Sequence, residues 1–286
     1  KEEKKEIKEE SKLDVYFNDN RPFVSDRVGF SLQTGDSESG NGETFYKLNE
    51  GNWEKYSGVF HFPREGRNTI LYYSVDKTGN KERLKSAEFY LDTTPPLISI
   101  NPKNFYTREG ENFSGKDSFF QISAVDDGAD LKSLEYSLSE SINESAYFQI
   151  KESNLKIPKE LANKRVILTV RAIDNLGNKS EKKYFFYSDM DAPSIQTDIP
   201  VGKEFFKLNA KIKVISSDSK SGLKWVKFSL NGAKEEFYAD SIELVNEGKQ
   251  SIKIVAEDNV GNVSTSEISN IQVLAPKTFN IKLKLP

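Results

Sequence analysis

The sequence predicts an all-β protein of three tandem two-layer sandwiches, and three observations lead there. A turn block, Asp-x-x-Gly-Asn, recurs at Asp76, Asp174 and Asp258. Apolar residues alternate at period two ahead of each block, and no helical period is sustained anywhere. Turn residues punctuate the chain throughout, at about seven short strands per roughly 90 residues. That density describes immunoglobulin-like or fibronectin-III-like β-sandwich domains. Short proline joints between them predict an elongated rod.

The 286 residues alone would suggest two domains, but the repeat spacing divides them into three small ones. Lys plus Arg number 41 against 44 for Asp plus Glu, and a net charge of −3 offers no basic field for nucleic acid. The absence of Cys excludes disulfides, thiolate metal sites and cysteine nucleophiles together. Packing must then rest on aromatics: 19 Phe, 12 Tyr and 2 Trp. With only 36% hydrophobic residues, they suit thin sandwiches better than one large core. No stretch approaches the ~18 apolar residues of a membrane span, and the first residues lack a signal-peptide core, so the chain is expected to be soluble as given.

Residues 1–12 carry one apolar residue, Ile7, among alternating Lys and Glu, and cannot bury enough surface to offset ordering. They predict a charged flexible tether, either a spacer or an ordinary frayed end. Domains follow at 13–94, 95–192 and 193–286. In the first, Val28, Phe30 and Leu32 alternate as a strand; Phe120 and Ile122, then Ala210, Ile212 and Val214, are the counterparts. An acidic loop follows in each copy at 36–40, 126–130 and 218–222. Ten residues beyond its first Asp comes an aromatic-x-Leu strand: Tyr46-Lys-Leu48, Tyr136-Ser-Leu138 and Phe228-Ser-Leu230. The second copy carries extra residues between Ser139 and Pro158, with one helical turn expected near 157–163.

The strand feeding each turn block faces inward through Ile70, Tyr72 and Ser74; Leu168, Val170 and Ala172; Ile252, Ile254 and Ala256. In the third copy Ser251, Lys253, Val255 and Glu257 are expected to be largely wet, as one face of an antiparallel sheet allows. Glu65-Gly66 and Glu247-Gly248 read as turns into this strand, where the second copy has Asn163-Lys164. Proline junctions end the copies at Asp92-Thr-Thr-Pro-Pro96, Asp191-Ala-Pro193 and Leu274-Ala-Pro276, and proline makes such links stiff. The tail Phe279, Ile281, Leu283 and Leu285 alternates as one more strand, closing the third domain or starting another unit.

Asp-x-x-Gly-Asn followed by Asp-Thr-Thr-Pro-Pro resembles the Ig-like repeats of exported bacterial proteins. The first copy, with Trp53, Tyr56, Glu65-Gly66 and Tyr72-Tyr-Ser-Val-Asp76, is similar to the repeats of spirochaetal (Leptospira) outer-membrane surface proteins. The resemblance implies a non-enzymatic protein displayed at the cell surface or outer membrane, or secreted, with any lipid anchor lying upstream of this chain. It implies an adhesin for host extracellular-matrix or plasma proteins. A structural stalk or assembly subunit and a carbohydrate-binding accessory module are the rival roles.

One His, His61, no Cys and no phosphate-loop or serine-elbow signature leave no catalytic constellation, and no enzyme is expected. The sharper chemistry is calcium. Sandwich topology brings the acidic loop, the turn block and the preceding linker to one end of each domain. Asp92 is then expected to approach Asp126, Asp127, Asp130 and Asp174, and Asp191 to approach Asp218 and Asp258, giving the hard oxygens that Ca²⁺ takes. The competing role for each turn Asp is to bind the backbone amides of its own turn. Trp53 and Tyr56, with Tyr147 and Phe148 in the long loop, are the candidate contacts for a host or cell-surface protein or a glycan. Core packing competes for Trp53 and is expected of Trp225.

Overall fold

Period-two alternation is realised as strand almost everywhere in a computed structural model describing residues 14–33, 42–141, 146–152, 154–200 and 202–277. The charged stretch 1–12, the acidic loop 36–40 and the alternating tail 279–285 lie outside the described residues.

The first segment contains β1 (Val15–Asn18), β2 (Arg21–Val24), β3 (Glu43–Leu48), β4 (Glu54–Lys55), β5 (Gly66–Val75) and β6 (Lys85–Leu91). They form one sheet in the order β1-β2-β6-β5-β3-β4. Against it sits a second layer that, among the described residues, is paired through a single bridge, Phe30 with Phe60. The strand expected over Val28, Phe30 and Leu32 is therefore only this bridge. Rings take over the packing: Phe30 lies 4.5 Å from Phe62 and 4.7 Å from Phe89.

The second segment contains β7 (Leu97–Arg108), β8 (Glu111–Val125), β9 (Leu131–Ser139), β10 (Phe148–Gln149), β11 (Asn154–Lys156), a 3-10 turn (Lys159–Leu161), β12 (Arg165–Asp174) and β13 (Lys179–Ser188). β8 pairs with β7 along both of its halves, with β13 through Phe113 and Ser114, and with β11 through Phe119–Gln121. The extra residues of this copy fall on either side of β10, which pairs with β9 as β4 pairs with β3, and the expected helical turn is the 3-10 turn.

The third segment contains β14 (Ser194–Thr197), β15 (Phe205–Lys207), β16 (Ala210–Ile212), β17 (Val214–Ser217), β18 (Leu223–Leu230), β19 (Glu236–Phe237), β20 (Ile242–Leu244), β21 (Gly248–Asp258) and β22 (Val263–Leu274). Its main sheet runs β15-β22-β21-β18-β19, faced by the pairs β14-β17 and β16-β20.

All three segments share one parallel contact, between the last strand and an early one: β2 with β6, β8 with β13 and β15 with β22. Every other ladder among the described residues is antiparallel, the arrangement of an Ig-like or fibronectin-III-like sandwich. The inward parity of the long strand is fully buried at Leu168, Val170 and Ala172 and at Ile252, Ile254 and Ala256. In the first segment Ile70 is buried, but Tyr72 and Ser74 are half-buried. Val255 departs from the expected wet parity and is buried as well.

Candidate functional site at the joints between segments

The turn block does more than reverse the chain. Asp174 accepts the N–H groups of Leu176 and Asn178 on Oδ1, at 2.9 and 2.8 Å, and Asn178 Nδ2 donates to Oδ2 at 2.7 Å. Asp258 repeats every bond with Val260 and Asn262, and Asp76 repeats them with Thr78 and Asn80. The glycine of each block adopts φ near +90°: 91° at Gly79, 86° at Gly177 and 90° at Gly261, a conformation open to glycine without a Cβ penalty. The turn role proposed for the Asp is thus met in all three copies.

In the second and third copies the same five residues also reach backwards. Asn178 Nδ2 donates to the Asp92 carbonyl at 3.2 Å, and Asn262 Nδ2 to the Asp189 carbonyl at 2.9 Å. Asn175 Nδ2 holds the acidic loop through the carbonyls of Ala129 and Asp130, and Asn259 does so through Ser221 and Gly222. Leu176 is fully buried against Phe23 and Ala129, with Tyr16 and Tyr90 packed beside them, so it plugs into the first segment. At the second joint Val260 meets the backbone of β8 so closely that a Cβ on Gly115 would sit 2.3 Å from its carbonyl oxygen. Each joint is therefore clamped by an Asn to the linker, an Asn to the acidic loop, and an apolar residue to the neighbour.

The linkers are held from the other side too. Glu65 accepts the Thr93 N–H and the hydroxyls of Thr93 and Thr94. Asn163 plays the same part in the second copy, accepting the Met190 N–H at 2.8 Å and donating to Asp191 at 2.7 Å. The Glu-to-Asn difference between copies thus preserves one job: pinning the exit linker.

Two groups of three carboxylates result, with one oxygen from each member within 4.8 Å of the others: Asp92, Asp126 and Asp174, and Asp189, Asp218 and Asp258. Asp92, Asp174, Asp189 and Asp258 are buried. The first group contains three of the residues expected there. Asp127 is exposed, and Asp130 turns away to accept from Tyr16 Oη at 3.1 Å and Asn18 Nδ2 at 2.7 Å, both in β1. In the second group the expected linker residue Asp191 is replaced by Asp189. Asp191 is exposed and bound to Asn163. The reason is register: Asp92 N–H donates to Val24 at the end of the β2-β6 parallel pair, and Asp189 N–H donates to Ser114 at the end of the β8-β13 pair. Distance to the proline does not report that register.

The electrostatics differ from those of a surface turn. Burial pushes the Asp92 carboxyl up to about 6; N–H bonds from Ala129 and Thr94 oppose this, and the charges of Asp126 and Asp174 add to it. Burial likewise raises Asp126 and Asp189, the latter with Asp218 and Asp258 as like-charged neighbours. Asp76 goes the other way, held well below the usual carboxylate range by the hydrogen bonds of Asn80 and Thr78.

The aromatic candidates lie in or beside the outer strands β4 and β10. Trp53 is 41% exposed, edge-on to Tyr73 at 4.8 Å with Lys47 Nζ 5.7 Å from its ring. Tyr56 is half-buried, 6.3 Å from Tyr46. Phe148 is exposed beside Tyr136, and Arg171 covers Tyr147 at 4.0 Å. Trp225 is not a core residue: its neighbour Val226 takes the inward parity, and Lys227 lies over both Trp225 and exposed Phe237. Phe237 was not legible as a candidate, although it sits on β19, which pairs with β18 as β4 pairs with β3.

No family model and no curated protein matches the chain. Among solved structures it is similar to the fibronectin(III)-like modules of Clostridium thermocellum CbhA, at 18% identity and a TM-score of 0.35, covering 66% of this chain and all of that one. It is also similar to part of a 1.5-MDa bacterial ice-binding adhesin, at 11% identity and a TM-score of 0.38, covering 85% of this chain and 89% of that one. Extracellular cadherin domains 3–6 of protocadherin gamma B2 match at 13% identity and a TM-score of 0.33, covering 82% and 69%. At such identities the shared property is the sandwich fold, which rests on the ladders above.

Proposed function

We propose that residues 13–94, 95–192 and 193–286 are three sandwich domains of an exported, non-enzymatic bacterial surface protein. The chain holds them in fixed succession and binds a host extracellular-matrix or plasma protein through its exposed faces. The observation that carries this reading is the doubled clamp. Asn178 and Asn262 grip the preceding linkers through the same atoms, so successive sandwiches are tied to one another and not strung loosely. A tied series suits reach and display. Exposed Trp53 and Phe237 beside Lys47 and Lys227, and exposed Phe148 next to half-buried Tyr147 with Arg171 over its ring, supply amphipathic contact surface of the kind that anchors protein interfaces.

The same clamp favours a second reading, a spacer whose working part lies elsewhere. Surface-immobilised full-length chain, titrated with matrix proteins, plasma proteins and glycans, separates the two. Saturable protein binding that weakens at least tenfold in Trp53→Ala, Phe148→Ala or Phe237→Ala supports the adhesin. Binding to glycans alone makes it a carbohydrate module. No saturable binding makes it a spacer.

A further inference from the structure

The second joint contains an unbalanced group of charges. Asp189 is fully buried, and its Oδ2 accepts the Ser221 N–H at 2.9 Å, while its Oδ1 has no hydrogen-bond partner. Leaving a buried carboxylate oxygen unmet is costly. Beside it stand Asp218, whose Oδ1 takes the N–H groups of Lys220 and Gly222, and Asp258, anchored by its own turn. No Lys or Arg among the described ion pairs answers this group. The nearest cations are otherwise engaged: Arg108 with the Lys220 carbonyl and Glu109, and Lys220 with the Tyr187 ring. Ser188 Oγ, next to Asp189, and Ser221 Oγ, in the Asp218 loop, are also buried without partners.

We propose that Asp189, Asp218 and Asp258 bind one divalent cation, Ca²⁺, at the joint between the second and third segments. Three carboxylates within 4.8 Å bring the charge, and the orphaned Asp189 oxygen is a free inner ligand. The donors are all hard oxygens, with neither nitrogen nor sulfur. That set selects Ca²⁺ or Mg²⁺ over zinc or copper, and irregular geometry built from loop and linker favours Ca²⁺. A bound ion would bridge linker, acidic loop and turn block, adding a link to the clamp described above. The inference holds whether the chain is an adhesin or a spacer, because it concerns the joint alone.

The test is calorimetric titration of the chelator-treated full chain with CaCl₂, alongside thermal unfolding. At Ca²⁺ ten times the Kd, the unfolding equilibrium constant should fall about 11-fold. Asp189→Asn and Asp218→Asn should each remove one bound ion per chain with the β-sheet circular dichroism unchanged, while Asp191→Asn should bind like the unaltered protein. Asp218 keeps the test valid if Asp189→Asn misfolds, since Asp218 is half-buried and not part of the turn block. Unchanged stoichiometry in both trio variants, or no heat and no shift in unfolding at millimolar Ca²⁺, overturns the proposal.

Discussion

Asn262 works twice with one amide, since its Nδ2 bonds Asp258 Oδ2 and the Asp189 carbonyl in a buried place. Asn262→Ala leaves both acceptors short of a donor and should cost about 2–3 kcal/mol in urea unfolding. Asn80→Ala, at the exposed first copy, should cost well under half of that. Asp92 sets a pH signature. Its folded value, about 6, lies above the ordinary 3.8, so the folded chain holds that proton more tightly than the unfolded one. Stability of chelator-treated protein should therefore fall as pH rises from about 4 to about 6, by roughly 2–3 kcal/mol, and level off above. Asp92→Asn should flatten that slope in unfolding curves collected across the range.

At the scale of elements, the long inward strands β5, β12 and β21 deliver the turn block to the end of each sandwich. The apolar residue inside the block then decides what the joint packs against. Leu176→Ala opens a cavity between Phe23 and Ala129 and should cost about 2–4 kcal/mol in thermal unfolding. Gly115→Ala would drive a Cβ into the Val260 carbonyl and should lower stability by about 1–3 kcal/mol, the cost of overpacking at a joint where backbone must move. Edge strands tell the opposite story. Phe237→Ser on β19 alters an exposed ring and should leave the unfolding midpoint nearly unchanged.

For the whole molecule, two clamps in series set the expectation for shape. Small-angle scattering of the full chain should give an elongated particle, and Leu176→Ala combined with Asn178→Ala should broaden its distance distribution; a compact globule from the unaltered chain would contradict tied succession. Much of this was legible in the chain. Strand periodicity and the turn blocks follow from local rules, because period-two burial and Asx turns are written in neighbouring residues, and the convergence of Asp126 and Asp174 on Asp92 follows once those strands are read as a sandwich. The backward reach of Asn178 and Asn262 was hidden inside a motif that already had a turn to explain it. Its one visible trace was Asn175 and Asn259 standing where the first copy has Lys77. Trp225 was misassigned because a large apolar residue signals burial, whereas strand parity, fixed by Val226, places it outside.

The choice between Asp189 and Asp191 marks the boundary between what each level decides. The sequence by itself determined an all-β chain, its three registers and the acidic character of the joints, since these depend on residue type and short-range spacing. Which carboxylate enters the joint was decided only by the tertiary structure. The parallel pairing of β13 with β8 ends at Ser188 and Ser114, so Asp189 is the first residue past the ladder and points into the cluster. That pairing joins residues 74 positions apart, as the Ser188–Ser114 register records, and no local pattern encodes it.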